Sequence, residues 1–588
     1  MAQDRYFRDE LAFLREQGEV FSDIYPQLAR YLRGNHADPD IERLLEGFAF
    51  LTGRIREKID DEFPEFTHSM ISMLWPNYLR PIPSTTIVQF KPDGKGITHR
   101  QRVAEGCRLD SRPVEGQSCH FRTCRPVDIY PLQIAKIDAS HSRESTTIEL
   151  LFDNSSAASL RDMNLEVLRL YLGGQRYSAQ MLYLWLHHHL DKIELVSAQG
   201  VFGLPLSAFC SVGFAAGDGI LPYPKNVYEG YRVLQEYLAI PEAFHFFDIR
   251  KIADSVPAHV EGNFSVRLRF SKTLPADVHV RDDTFLLYCV PAINLFEHDA
   301  DPIDLNGRRV EYPVVPSARH PSHFEIFSVD KVQGWLDADQ GRVRGRERIY
   351  SPFESFQHEV ERARSRTALY YRLRVRDSMR NVGMDHFISF VRSDETQCVD
   401  LNEAISVRLT CSNRQLPTRL GKGDVCVPTE TTPSFAAFCN ITEPSNPLRP
   451  VLDGSLLWTL ISNLSLNYLS LLSRDAICSI IRAYDFKALV DRQAEQVTRL
   501  RLDGIIGIHA KPTERIIRGM PIRGLKTELE LDQKYFASEG DLYLFGAVLN
   551  CFFALYASIN SFHELVVINA HNKERYTWDI QVGQQPLI

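Results

Sequence analysis

The chain has no long apolar run, no excess of one charge, no closely spaced cysteine pair and no complete catalytic signature. Its 588 residues carry 75 acidic and 67 basic side chains, a formal net charge of -8. Both signs are mixed along the sequence, so no global field draws the protein to nucleic acid or to an anionic membrane. The eleven cysteines are odd in number and scattered among apolar neighbours. That pattern reads as reduced, mostly buried thiols. The closest grouping, Cys107, Cys119 and Cys124, lacks the Cys-x-x-Cys spacing of a structural zinc site. Met1-Ala-Gln-Asp-Arg5 leads directly into a charged amphipathic segment without an apolar signal core, so a cytoplasmic location is expected. Neither a tandem repeat of fixed period nor a low-complexity tail is present.

The most apolar stretch is Leu542–Ala557, in which only Asn550 is strongly polar. It stops short of the roughly 18 to 20 residues a membrane helix needs and is flanked by Glu539, Asp541 and Asn560, so direct membrane insertion is not expected. A helix apolar on every side should be covered on every side, either as the centre of its own domain or as a subunit interface.

Catalytic signals fail one by one. His563-Glu-Leu-Val-Val567 begins like a zinc-protease helix, but the second histidine is replaced by Val567. His358-Glu-Val-Glu-Arg362 fails likewise, with an arginine that repels a metal. Consecutive helix residues point about 100° apart, so His187-His188-His189 cannot converge on one ion without partners from elsewhere. Gly94-Lys-Gly96 and Gly421-Lys-Gly423 read as turns, and Asp60-Asp61-Glu62 with Glu65 as a solvated helix end. No nucleophile elbow, phosphate loop or dinucleotide fingerprint occurs. The expectation is a protein that is not an enzyme, with no catalytic, cofactor-binding or metal residues and no cofactor.

Length alone predicts about three to four domains. Residues 1–83 read as an N-terminal helical, bundle-forming region. Phe7, Leu11 and Leu14 share a face; Asp38 precedes Pro39 as an N-cap precedes a first-turn proline. Ile41, Leu44, Leu45, Phe48, Leu51, Ile55 and Ile59 then form one stripe on a helix of about twenty residues. Pro64 ends that helix, a shorter one with Phe66, Met70, Met73 and Leu74 follows, and Pro76, Pro81 and Pro83 mark a linker. Residues 84–260 read as a first α+β domain, with strands such as Thr85–Phe90, a helix Ser178–Leu190 and a short helix Tyr231–Leu238. Residues 261–400 read as a second, β-rich domain containing a charged loop near Gln340–Ala368. Residues 401–588 read as a C-terminal mixed α/β module. Its expected order is strand Ile405–Thr410, helix Ser455–Ser473, strand Gln496–Leu502, a Gly/Pro-rich stretch near Arg515–Gly524, strand Leu525–Leu531, the apolar helix and strand Glu564–Asn569. The fold class is therefore α+β and multidomain: a helical N-terminus, β-rich domains, and a C-terminal α/β-type module with a buried apolar helix.

Several islands carry a resemblance. They are Leu221-Pro-Tyr-Pro-Lys-Asn-Val-Tyr-Glu-Gly-Tyr-Arg-Val-Leu-Gln-Glu-Tyr-Leu238, Pro241-Glu-Ala-Phe-His-Phe-Phe247, Pro291-Ala-Ile-Asn-Leu-Phe296, Glu311-Tyr-Pro-Val-Val315, Trp458–Leu471 and the block Glu539–Leu565. Taken in order they resemble the TssF family, also called VasA or ImpG, subunits of the type VI secretion baseplate. The resemblance spans essentially the whole chain. It implies a structural wedge subunit that supports the contractile tail, assembles with TssG, TssE and TssK, associates as paired copies and sits in a membrane-docked baseplate. The candidate partner contacts are Leu44, Phe48, Leu51 and Ile55 on the N-terminal stripe and Phe545, Phe552, Phe553 and Tyr556 on the apolar helix. The runner-up is a cytoplasmic hydrolase or carbohydrate-active enzyme with a site between β-rich domains, suggested only by abundant acids, aromatics and histidines.

Overall fold

The fold is taken from a computed structural model, which describes residues 11, 14, 39–60, 71, 75–92, 97–156, 159–223, 229–257, 260–305, 309, 311–336, 347–353, 369–378, 383–392, 403–451, 473–517, 519–554, 557 and 560–583. It divides into two compact units, one formed by residues 1–71 with 452–461 and the other by residues 72–451 with 462–588.

In the first unit, helix α1 runs Pro39–Asp60, opening on the proline whose fixed φ suits a first turn. Leu11 and Leu14 are also helical. The expected N-cap Asp38, Phe7, the breaker Pro64 and the residues Phe66, Met70, Met73 and Leu74 lie outside the described residues, as does the expected helix Ser455–Ser473 apart from its last residue.

The second unit is built from several sheets. In one, Thr85–Pro92 pairs antiparallel with Cys289–Ile293 on one side and Ala436–Asn440 on the other. The expected boundaries at 260/261 and 400/401 therefore cut through a single sheet. Hydrogen bonding between distant segments joins what composition shifts along the chain had separated. A five-stranded sheet orders Gly200–Leu204, Leu190–Ser197, Phe264–Phe270, Thr146–Asn154 and Leu132–His141. A larger sheet centres on Glu403–Ser412 paired with Glu325–Leu336. Its core includes Val332, Val407, Leu409 and Cys411, all fully buried.

Helices α2 (Arg176–His188) and α3 (Glu229–Ala239) occupy the segments expected to be the helices Ser178–Leu190 and Tyr231–Leu238. Further on come α4 (Arg474–Tyr484), α5 (Phe486–Val490) and α6 (Arg492–Asp503), capped in turn by the side chains of Ser473, Asp485 and Asp491. Helix α6 replaces the expected strand Gln496–Leu502. The alternating Val497-Thr-Arg-Leu-Arg-Leu502 mimics strand period, but Thr498 and Leu502, four apart, are the buried pair, and the Asp491 cap settles the helix. The Gly/Pro-rich stretch expected near Arg515–Gly524 lies within a long hairpin, Ile505–Ile517 paired with Met520–Leu531, turning through Gly519 at φ 82°.

Helix α7 (Glu539–Ala554) connects Met520–Leu531 to Ser561–Asn569, which run parallel. Parallel neighbours cannot be joined by a tight turn, so the connecting helix must cross a sheet face. There it packs on Ser561–Asn569 and against α2 and α3. Its neighbours approach so closely that a Cβ at Gly540 would run into the backbone carbonyl of Gln180 on α2.

Candidate functional site

No complete catalytic constellation forms among the described residues, so the features of functional interest are one exposed apolar face, one buried helix and one polar cluster. The face belongs to α1. Leu44, Phe48 and Leu51 are 71, 56 and 58 % exposed, and Phe50 beside them is also exposed, while Ala49 is buried. Ile55 lies on the same helix.

The second group of candidate contacts is placed differently. Phe545, Phe552 and Phe553 are buried within the chain. Phe545 meets Tyr237 and Phe536, Phe552 lies edge-on to Tyr231, and Phe553 lies against His563. As partner contacts these three rings are corrected: the helices α2 and α3 and a sheet strand cover the circumference that one sheet alone would have left bare. Tyr556 is outside the described residues. Around Tyr231 an aromatic cluster continues through Trp75 and Tyr484, with centroids 5.4 Å away in each case. The islands at 221–247 and 539–565, far apart in sequence, thus form one packed core.

Helix α3 also carries a buried ion pair, Arg232 Nη1 to Glu236 Oε2 at 3.1 Å. Burial raises the Glu236 carboxyl while Arg232 opposes it. Glu236 Oε1 accepts from the Ile220 and Leu221 amides, and Arg232 donates to the carbonyls of Gly213, Phe214 and Ala215. The pair is satisfied on both sides and holds the 213–221 loop to the helix.

The histidine run packs against the rest of the fold. His187 is half-buried with Nδ1 on the Tyr183 carbonyl at 2.8 Å, and burial of the ring pushes it down to about 4. His188 closes α2 and His189 is its C-cap, with φ -110° and ψ 4°. That departure from helical geometry swings the two rings into a T-shaped contact, centroids 4.7 Å apart. Their Nε2 atoms lie 3.6 and 3.5 Å from Oε1 of Glu574, a residue no motif in the sequence singled out. The other oxygen of Glu574 accepts from Lys272 Nζ at 2.9 Å. Burial pushes Glu574 up, but Lys272 and the two histidines outweigh it and hold the carboxyl below its usual range.

The remaining motifs stay inert. His563 lies on a sheet strand rather than a helix, with Nε2 2.9 Å from Thr527 Oγ1, so no zinc-protease helix exists there. Cys107, Cys119 and Cys124 are buried free thiols, the latter two pushed up by burial to about 12. Gly423 takes φ 85° in a turn. His358, Asp61, Glu62, Glu65 and the Gly94–Gly96 turn lie outside the described residues. Among the described residues no helix is long and apolar enough to cross a membrane.

A family profile described as "Type VI secretion system, TssF" matches residues 2–585. The type VI secretion system component TssF1 of Pseudomonas aeruginosa strain PAO1 is 29 % identical over 99 % of this chain and 98 % of its own. Among solved structures, a chain of a type VI secretion TssK-TssF-TssG baseplate subcomplex matches with TM-score 0.75 and 31 % identity, over 92 % of this chain and 99 % of that one. A chain of another type VI baseplate complex matches with TM-score 0.65 and 25 % identity over the whole of both. Fold and sequence together therefore define a component of the type VI secretion apparatus. The chain belongs to the TssF family.

Proposed function

We propose that this chain is a structural subunit of the type VI secretion baseplate and assembles with TssG and TssK. The observation that carries the reading is the match, in sequence and in fold over 92 % of this chain, to a chain of the TssK-TssF-TssG subcomplex. The hydrolase alternative draws no support from any of these likenesses. In finer detail, the protein works in the cytoplasm within a wedge of a membrane-docked baseplate, as paired copies, with TssE also joining. Leu44, Phe48, Leu51 and Ile55 of α1 form a contact stripe in an intermolecular helical bundle. The exposure of the first three supports this, because an uncovered apolar helix face of this kind marks an interaction surface.

Co-expression with TssG and TssK followed by mass measurement of the purified complex tests the proposal. A stable complex containing more than one copy of this chain is expected. Purification of the chain free of both partners would sink it.

A further inference from the structure

We propose that His188, His189 and Glu574 form a binding site for a single divalent transition-metal ion, zinc foremost, with a fourth position left open. This reverses the expectation that the chain binds no metal. It does not rest on the baseplate role, since the donors belong to this chain alone.

Three observations carry it. The three donor atoms all lie within 4.8 Å of one another. The two imidazole-to-carboxylate separations, 3.6 and 3.5 Å, are near the edge of a tetrahedron around zinc, about 3.3 Å for bonds of about 2.0–2.1 Å. His189 is more than nine-tenths buried, yet its Nε2, aimed at Glu574, has no hydrogen-bond partner in the protein. An orphaned buried imidazole nitrogen is costly unless something binds it.

The surroundings suit a ligand set. Two imidazole nitrogens and one carboxylate are the donors zinc takes in open sites. Lys272 and Asn572 Nδ2, at 2.9 and 3.4 Å, both hold Oε2 of Glu574, leaving Oε1 turned to the histidines. Asn572 in turn donates to Glu539 Oε1 at 2.5 Å. The His188 ring is fixed edge-on by Tyr576, 4.9 Å away, and the His189 ring by Trp185, 5.0 Å away. The Lys272 ammonium repels an incoming cation and so limits affinity. It is also half-exposed, which leaves it free to swing outward. His188, about a quarter exposed, faces the route of entry.

The experiment uses the full-length chain with any affinity tag removed, stripped of metal by dialysis. Zinc(II) is titrated calorimetrically, and cobalt(II) absorption reports coordination geometry. One ion per chain is expected, with a cobalt spectrum of low coordination number and a zinc-dependent rise in Tm. His189→Ala and the conservative Glu574→Gln should each weaken binding at least about tenfold and abolish the rise. Glu574→Gln, shown folded by circular dichroism, serves where the alanine variant unfolds. Absence of saturable binding by the wild-type chain, or binding unaltered in Glu574→Gln, overturns the proposal.

Discussion

Arg501 on α6 donates from Nη2 to both carboxylate oxygens of Asp541 on α7, at 3.4 and 3.1 Å. The Tyr237 hydroxyl, from α3, reaches Asp541 Oδ1 at 3.3 Å, and the guanidinium lies over the Tyr237 ring. One buried charge pair thus joins three helices, and Asp541 in the first turn of α7 also complements the helix dipole. Burial alone would lower the Arg501 pKa, but Tyr237 and Asp541 reverse the shift.

Asp541→Ala should therefore destabilise the protein by about 3 to 5 kcal/mol, because it leaves the guanidinium buried without its partner. Removing both charges, as Arg501→Met with Asp541→Leu, should cost less than that single change. Urea midpoints of the three proteins check the order.

The α7 rings are interior, so Phe552→Ala and Phe553→Ala should each cost about 3 to 5 kcal/mol. Gly540→Ala is expected to be severe for a different reason. Its methyl meets backbone of α2, which cannot rotate aside as a side chain would. Thermal melting separates these from surface changes, and a variant with wild-type Tm would contradict the packing.

On α1 the expectation is the opposite. Phe48→Asp with Leu51→Asp alters exposed positions, so the melting of the isolated chain should move by no more than roughly 0.5 kcal/mol per site. Co-purification with TssG should be lost. A folded double variant that still brings down TssG would remove the stripe from the interface.

Burial of His563 and of His386 pushes both down to about 4. The unfolded chain takes up these protons near pH 6.5, ahead of the folded one, so the stabilisation is complete above that pH and is lost as pH falls toward 4. Each histidine accounts for on the order of 3 kcal/mol across that window. Denaturation midpoints from pH 7 to 4 should fall less steeply for His563→Gln than for wild type.

Much of the local structure was legible because it follows from short-range periodicity and capping. The expected helices Ser178–Leu190 and Tyr231–Leu238 correspond to α2 and α3, both buried along most of their length. Where local signals were ambiguous they misled. Val497–Leu502 has strand-like alternation but follows a capping aspartate and is helical, and the Gly/Pro-rich stretch near Arg515–Gly524 falls where two strands pair in register. Proline and glycine disfavour a strand only until a partner strand supplies the remaining hydrogen bonds.

The sequence by itself determined the family, through ordered islands of residues, and the positions of α1, α2, α3 and α7. It also showed that α7 must be covered on every side. Only the tertiary structure decided what covers it, because α2 and α3 come from segments 300 or more residues earlier in the chain. The same reason governs the histidines. A run of three on one helix has no common target until the C-cap turns His189 and a distant hairpin delivers Glu574 within 3.6 Å of both rings.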